Sequence, residues 1–396
     1  MRKENGITLV ALIITIVVML ILVAVSINVI VNSNLIGYSE KTGDAYSGAI
    51  KNEENFGNDG ITINDKEYAS IDDYIESRKP LPEGAGKKFT ETKEYTDGTK
   101  TAVIPGGFTV SGIRKETRID EGLVIYLIPD DEIENVKWDG TEKTKYDQFV
   151  WIPVSNANKM FMCQAKTESD SGCDLKIEGN EVICQTHKTA DATKSKNMAG
   201  RLYATGAGES FNSSLTTQTY NANSGLREPA KLSSTNSSFV DQEEEPNLDL
   251  QTEYNNAVKK VIESKGFWIG RYETSGMNSS NDDIAVNIVA GKGTSDGIGD
   301  VNWYRMYKQQ QNYANKKNLD TSKIQSTMIF GAAYDQTMIF ANCEKATTSA
   351  KDYSAVITGN VETDCYKNIY DLCGNLREWT TEANNTYYRI RRGRQL

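Results

Sequence analysis

The sequence predicts an α+β fold behind an N-terminal transmembrane helix, with little regular secondary structure in the main domain. Residues 7–31 form a long, largely apolar run. Strand-like alternation marks residues 122–128 and 148–154, and helical core segments are predicted at 303–307 and 326–340. Alternation with a period of two is typical of strands, whereas longer apolar segments are typical of helices. The mixture of both indicates the α+β class.

The apolar run at residues 7–31 is long enough to cross a bilayer as a helix. Arg2 and Lys3 precede it, and the positive-inside rule keeps such a short basic end in the cytoplasm. A cleaved secretory signal is disfavoured, because the run is too long and no small-residue cleavage site follows it. The sequence therefore predicts a single-pass protein of the cell membrane, in contact with lipid, whose C-terminal domain is extracytoplasmic.

Residues 1–9 resemble the class III signal of type IV prepilins, in which a short charged leader ends in glycine before a hydrophobic residue, Thr and Leu. Gly6 and Ile7 occupy the positions on either side of the cleavage site. The resemblance implies processing by a prepilin peptidase, N-methylation of Ile7, and association with other pilin-like subunits and a pilus. Ala11 replaces the glutamate of the family. This departure favours a minor, tip or membrane-held subunit over a major pilin.

The remainder of the chain is polar, and its net charge of −10 predicts no nucleic-acid partner. The single histidine, His187, excludes metal sites with several His ligands, and its polar surroundings predict an exposed side chain. The cysteine spacings match no zinc or redox motif, which leaves disulfides and small buried thiols open. The six cysteines are Cys163, Cys173, Cys184, Cys343, Cys365 and Cys373.

Composition divides the chain into three predicted regions. Residues 1–35 form the leader and membrane helix, 36–100 a stalk and linker, and 101–396 the main domain. Within this domain, residues 155–255 are rich in Ser, Thr, Asn and Lys. Such a composition buries too little apolar surface to offset the entropy of ordering, so a long, partly flexible insertion is predicted. A ligand-facing loop region is the alternative.

The most specific motif reads N-I-Y-D-L-C-G-N-L-R-E-W, from Asn368 to Trp379. It is similar to the N-x-Y-D-x-x-G-N-x-x-E-W signature of the formylglycine-generating-enzyme, or sulfatase-modifying-factor, superfamily, a branch of the C-type-lectin-like folds. Three further blocks precede it in the family's order. They are F-V-W-I-P-V, G-F-W-I-G-R-Y-E and M-I-F-G-A-A-Y-D, at 149–154, 266–273 and 328–335. The resemblance covers residues 101–396 and implies the same fold.

The signature loop is the predicted cation site. Two carboxylates across a Gly-Asn turn can converge on one hard cation. The resemblance implies a structural Ca²⁺ ion held by Asp371, Gly374, Leu376 and Glu378, with backbone oxygens supplied by the middle two. An ordinary Asx-type turn with a surface glutamate is the alternative.

The resemblance does not extend to the catalytic chemistry of the family. The catalytic cysteine pair follows an R-x-x-R-G-G-type block, and this chain reaches its end within that block, from Arg389 onwards. None of the six cysteines maps onto the pair, and no catalytic triad is available around His187. We therefore predict a non-catalytic protein.

The predicted function is that of a surface-displayed, membrane- or pilus-anchored binding protein that recognises an unknown extracellular ligand. A Tyr- and Asn-rich patch lies where diversified proteins of this fold carry their variable residues, and such side chains give adaptable contacts. The patch consists of Asn384, Asn385, Tyr387, Tyr388 and Arg389. The alternatives are a minor pilin or pseudopilin with a structural role and, third, a formylglycine-generating oxidase.

Overall fold

The computed structural model divides the chain into two units, Met1–Pro80 and Leu81–Leu396. It describes residues 61–392 with internal gaps. The gaps are 64–65, 167–171, 190, 201–227, 230–248, 278–283, 285, 293–300, 343–356, 360–363, 373–377 and 384–388.

In the first unit, strand β1 (Ile61–Ile63) pairs antiparallel with β2 (Lys66–Tyr68). Helix α1 spans Ile71–Arg78. These elements lie inside the region that the sequence predicts to be a linker, 36–100. That region therefore contains regular secondary structure.

The second unit contains the remaining described strands and helices. The strands are β3 (Lys93–Thr96), β4 (Thr101–Ile104), β5 (Thr109–Val110), β6 (Val124–Leu127), β7 (Asp147–Pro153), β8 (Phe161–Cys163), β9 (Leu175–Glu178), β10 (Glu181–Cys184), β11 (Met198–Gly200), β12 (Gly266–Gly270), β13 (Cys365–Tyr366), β14 (Ile369–Tyr370), β15 (Glu378–Ala383) and β16 (Arg389–Arg392). The helices are α2 (Ala157–Met160), α3 (Ala192–Lys196), α4 (Leu250–Ser264), α5 (Trp303–Gln311), α6 (Tyr313–Lys316) and α7 (Gly331–Ala341).

A four-stranded antiparallel sheet, in the order β12-β7-β6-β5, organises the second unit. Strand β7 is buried on both faces, because successive side chains of a strand point to opposite sides. Trp151 joins a cluster with Ile104 of the β3–β4 hairpin. Val150 and Ile152 face the other way and pack with Tyr334 of α7. Apolar burial on both faces therefore stabilises the centre of the sheet.

Helix α4 leads directly into the edge strand β12. Its buried residues Leu250, Tyr254 and Val258 recur every four positions, so one face packs on the core. The turn into β12 requires a glycine. A Cβ atom at Gly266 would lie 2.3 Å from a ring carbon of Trp151. Gly266 therefore lets the indole ring pack directly against the backbone of β12.

The start of the signature motif is bonded to a distant part of the chain. The side-chain amide of Asn368 donates to the carbonyl oxygens of Lys115 (3.2 Å), Glu121 (3.1 Å) and Gly122 (2.7 Å). Gly122 has a φ of +89°, and a Cβ atom there would lie 1.9 Å from the carbonyl oxygen of Lys367. A glycine at this position thus lets the two segments come together.

The structure corrects the predicted fold class and location. No helix within the described residues is long and apolar enough to cross a membrane, so the prediction of a single-pass membrane protein with an N-terminal transmembrane helix is not supported. The apolar run at 7–31 and the predicted processing site at Gly6 and Ile7 lie outside the described residues.

The predicted insertion at 155–255 contains more regular structure than its composition indicates. Two short helices and four strands lie between Ala157 and Gly200, and α4 begins at Leu250. Pairing of β8 with β11, and of β9 with β10, satisfies backbone groups in this segment. Regular secondary structure is therefore present in the described residues of the insertion, and its partial flexibility stays a prediction.

Candidate functional site: a cavity along an edge strand

A cavity of about 1300 Å³ follows strand β12. All five residues of the strand, from Gly266 to Gly270, line it. Its opposite walls are largely apolar and include Met277, Met306 and Trp379. A cavity of this size, with apolar walls and polar groups at its margins, has the character of a ligand-binding site.

The main chain of β12 offers hydrogen-bonding groups to this cavity. Among the strands that the structure describes, β12 pairs only with β7. The N–H of Val154 donates to the carbonyl oxygen of Lys265 (2.9 Å), and the N–H of Arg271 donates to that of Gln148 (3.0 Å). In an antiparallel ladder, bonded pairs alternate with non-bonded pairs. The N–H and C=O groups of Trp268, midway between Lys265 and Arg271, therefore point away from β7.

The charged side chains around the cavity balance one another. Three cations and three anions line it, so its walls carry no net charge. Arg391 lies over the ring of Trp379, with 5.0 Å between the guanidinium carbon and the ring centroid. The six charged residues are Lys260, Glu263, Glu273, Lys323, Glu378 and Arg391. A neutral, largely apolar ligand matches this environment better than an anion or a cation does.

A buried ion pair lies at the β15–β16 hairpin. Glu382 accepts two hydrogen bonds from Arg392, from Nε and Nη2, both at 2.6 Å. Thr380 Oγ1 donates to the same carboxylate at 2.9 Å. The glutamate fills the space beside Gly331, where a Cβ atom would lie 2.1 Å from Cδ of Glu382. The pair therefore fixes the start of α7 against β15.

A second buried carboxylate, Glu228, caps α7. It accepts hydrogen bonds from the N–H groups of Gly331 and Ala332, and from Thr381 Oγ1. Burial, followed by the charge of Glu382, raises the pKa of Glu228 to about 8. Neither glutamate is among the residues that line the cavity. These carboxylates stabilise the fold behind the cavity and do not face a ligand.

Asp371 of the predicted calcium site forms two hydrogen bonds within the chain. Its carboxylate accepts hydrogen bonds from Thr358 Oγ1 (2.6 Å) and the N–H of Gly359 (2.9 Å). Burial raises the pKa of Asp371. Gly374 and Leu376 lie outside the described residues. The calcium site remains a prediction.

Two further predicted site residues, Glu378 and Arg389, lie in the described part of the chain. Glu378 is half-buried at the start of β15 and lines the cavity. Arg389 is buried, with its guanidinium carbon 3.9 Å from the centroid of Trp303 and its Nη1 donating to Thr381 O at 2.9 Å. Arg389 therefore packs inside the domain. The other four members of the predicted ligand patch, Asn384, Asn385, Tyr387 and Tyr388, lie outside the described residues.

One cluster that was not predicted from the sequence consists of Cys163, Cys173, Cys184 and His187. All four side chains are buried, and their ligand atoms lie within 4.8 Å of one another. The prediction that His187 is an exposed bystander is therefore wrong. The sequence signal was weak, because the four residues follow no recognised metal-binding spacing. Their position in one short segment around the only histidine was the available indication.

Comparisons of the chain with protein-family models, curated proteins and solved structures give no match. The likeness of its four sequence blocks to the formylglycine-generating-enzyme superfamily therefore stays a prediction.

Proposed function

We propose that the chain is a binding protein that takes up an extended, uncharged peptide segment of a partner protein. The segment enters the cavity and adds as a strand beside β12. The observation that carries this proposal is the course of the cavity, which every residue from Gly266 to Gly270 lines. The proposal gives a ligand class to the binding function that the sequence predicts.

The main chain supplies the first argument. The N–H and C=O of Trp268 point away from β7, and Trp268 lines the cavity, so these groups are placed where an added strand would bond. In recognition by strand addition, main-chain hydrogen bonds provide affinity and pockets for alternate side chains provide specificity. An extended peptide satisfies such groups along its whole length, whereas a compact small molecule does not.

The side chains supply the second argument. Edge strands that stay unpaired in soluble proteins usually carry a charge, a proline or a bulge. Strand β12 has the sequence Gly-Phe-Trp-Ile-Gly and pairs with β7 in unbroken register. The balanced charges around the cavity favour a neutral segment. A peptide with apolar side chains on alternate positions fits both the regular edge of β12 and the uncharged cavity beside it.

Hydrogen exchange of the isolated full chain tests whether the edge is available. We expect the amide of Trp268 to exchange faster than those of Phe267 and Ile269, whose N–H groups point towards β7. Slow exchange at all three positions would mean that this chain already covers its own edge, which would overturn the proposal.

Peptide binding tests the function itself. The probe is an acetylated nonapeptide of alternating Val and Thr, titrated calorimetrically into the full chain. The matched control is the same peptide N-methylated on alternate amides, which removes the donors on one edge. We expect binding of the first peptide, loss of binding with the second, and protection of the Trp268 amide in the complex. Equal binding of both peptides would exclude strand addition.

A further inference from the structure

We propose that Cys163, Cys173, Cys184 and His187 together bind one Zn²⁺ ion, and that this ion joins the β9–β10 hairpin to strand β8. The site lies in a different part of the second unit from β12. It does not depend on the proposed peptide-binding function, and its test has a separate readout.

The distances among the four ligand atoms match a tetrahedral site. Nδ1 of His187 lies 3.2 Å from Sγ of Cys163, 3.7 Å from Sγ of Cys173 and 3.1 Å from Sγ of Cys184. The sulfurs of Cys163 and Cys173 are 3.8 Å apart. Zinc bonds of about 2.3 Å to sulfur and about 2.0 Å to nitrogen give tetrahedral edges of about 3.8 Å and about 3.5 Å. One ion between the four atoms therefore needs only small side-chain movements.

Disulfide formation explains the cluster less well. A disulfide bond brings two sulfurs to about 2.0 Å, whereas those of Cys163 and Cys173 lie 3.8 Å apart. Three thiols cannot all pair with one another, so one would be left facing the imidazole. No disulfide joins Cys163, Cys173 and Cys184 to one another in this structure. A shared ion uses all three sulfurs and the ring nitrogen together.

The ligand types and their burial indicate zinc in a structural role. Thiolate and imidazole ligands suit Zn²⁺, whereas Ca²⁺ and Mg²⁺ prefer oxygen. Four protein ligands close the coordination sphere, whereas a catalytic zinc keeps one position for water. All four side chains are buried. The backbone N–H of Cys163 also points to Sγ of Cys173 at 3.4 Å, a contact that orients a ligating sulfur from outside the metal.

The local fold explains why a metal is useful here. Cys163 ends β8 and Cys184 ends β10, while Cys173 and His187 lie in the connections beside them. In the β9–β10 register, Cys184 stands opposite Leu175, close to Cys173 along the chain. The three cysteines lie in the same apolar cluster as Met162 and Val182. Metal binding contributes directly to folding, so the ion would add to the stabilisation that this cluster provides.

Metal analysis of the purified full chain tests the proposal. We expect one zinc per chain by elemental analysis and by native mass spectrometry. Cys184→Ser should lose stoichiometric zinc. Cys365→Ser is the matched control, because Cys365 is half-buried and outside the cluster, and it should retain one equivalent. Equal zinc content in the two variants would overturn the proposal, and so would one equivalent of iron in place of zinc.

A measurement on the unaltered chain remains informative if Cys184→Ser fails to fold. Exchange of the bound metal for Co²⁺ should give the visible absorption of a tetrahedral ion and the charge-transfer bands of thiolate ligands. A mercurial reagent should release the metal as the thiols react. A folded chain that takes up neither zinc nor cobalt, or one that contains a disulfide between two of the three cysteines, would contradict the assignment.

Discussion

The four-stranded sheet and the segment 157–187 are held together in different ways. In the sheet, Val150, Trp151 and Ile152 are almost fully buried and meet apolar side chains on both faces. In the segment, apolar side chains such as those of Met162 and Val182 are also buried, but three thiols and an imidazole lie beside them.

On the zinc proposal, two kinds of stabilisation coexist in one unit. Apolar burial contributes about 25 cal/mol for each Å² removed from water and acts over the whole surface of a strand. Metal–ligand bonds act at one point and depend on metal supply and on deprotonated ligands. On the zinc proposal, the sheet should tolerate metal removal, whereas the segment should not.

The largest expected effect comes from the sheet. Trp151→Ala should lower the free energy of unfolding by about 3–5 kcal/mol, because it leaves a cavity between two packed layers. Urea denaturation measures this loss. The control is Trp268→Ala, at a neighbouring but only partly buried ring 5.1 Å away, which should cost less. If Trp151→Ala retains one zinc, packing of the sheet and metal binding act independently. If Trp151→Ala lowers the free energy of unfolding by less than Trp268→Ala does, the role given to Trp151 is contradicted.

Metal removal should destabilise the segment that contains β8, β9 and β10. A chelator should cost about 2.7 kcal/mol if free zinc had been 100-fold above its dissociation constant. Hydrogen exchange should then increase in β8, β9 and β10, while the amides of β6 and β7 remain protected. The same chelator added to Cys184→Ser serves as the control and should change nothing. Uniform loss of protection over both regions would show that they unfold together.

Protonation of Glu228 provides a third, smaller effect. Its folded pKa of about 8 lies above the ordinary value of 4.5, so the folded state holds an extra proton between these pH values. Its stabilising contribution is complete below the unfolded pKa and is lost as the pH rises through about 8. The slope is at most about 1.4 kcal/mol per pH unit. Glu228→Gln, which keeps an acceptor without titrating, should flatten the pH profile of melting temperature.

The exposed Glu178 provides the control for this experiment. Glu178→Gln removes a surface carboxylate paired with Lys188 and should leave the slope above pH 5 unchanged. An identical slope in Glu228→Gln and the unaltered chain would contradict protonation of Glu228.

The smallest expected effect concerns the turn between β3 and β4. Burial raises the pKa of Asp97, but hydrogen bonds from Thr99, Lys100 and Ile119 outweigh this and lower the pKa to about 2. Its contribution is therefore present above the ordinary pKa of 3.8 and is lost as the pH falls through about 2. Asp97→Asn should cost less than about 1 kcal/mol at neutral pH, because solvent screens so exposed a group. Melting at pH 7 and pH 2 measures the difference, which should be much smaller at the lower pH.

Much of the sheet could be predicted from the sequence. The alternation at 122–128 and 148–154 corresponds to β6 and β7, and the glycine-flanked block at 266–275 contains β12. The apolar segment at 326–340 contains most of α7. These elements are defined by local patterns, and local patterns report which face of an element is buried. The order of the strands could not be read in this way, because it depends on pairing between distant segments.

The thiol–imidazole cluster could not be predicted for a related reason. Cys163, Cys173, Cys184 and His187 have no recognised spacing, and they come together only through the pairing of β9 with β10. Polar neighbours around His187 indicated exposure, although the ring itself points into the interior. The prediction of exposure from polar neighbours was wrong because tertiary contacts bury His187. Glu228 was equally unpredictable, since its partners on α7 and β15 lie more than 100 residues away.

The bonds made by Asn368 set a condition on the order of folding. Its amide reaches carbonyl groups 246 to 253 residues earlier in the chain. Contacts of such high sequence separation slow folding, because loop closure must precede them. During synthesis, the segment around Gly122 must wait until the signature motif has left the ribosome. We therefore expect the final closure of this domain to be a late step, which follows synthesis of the signature motif.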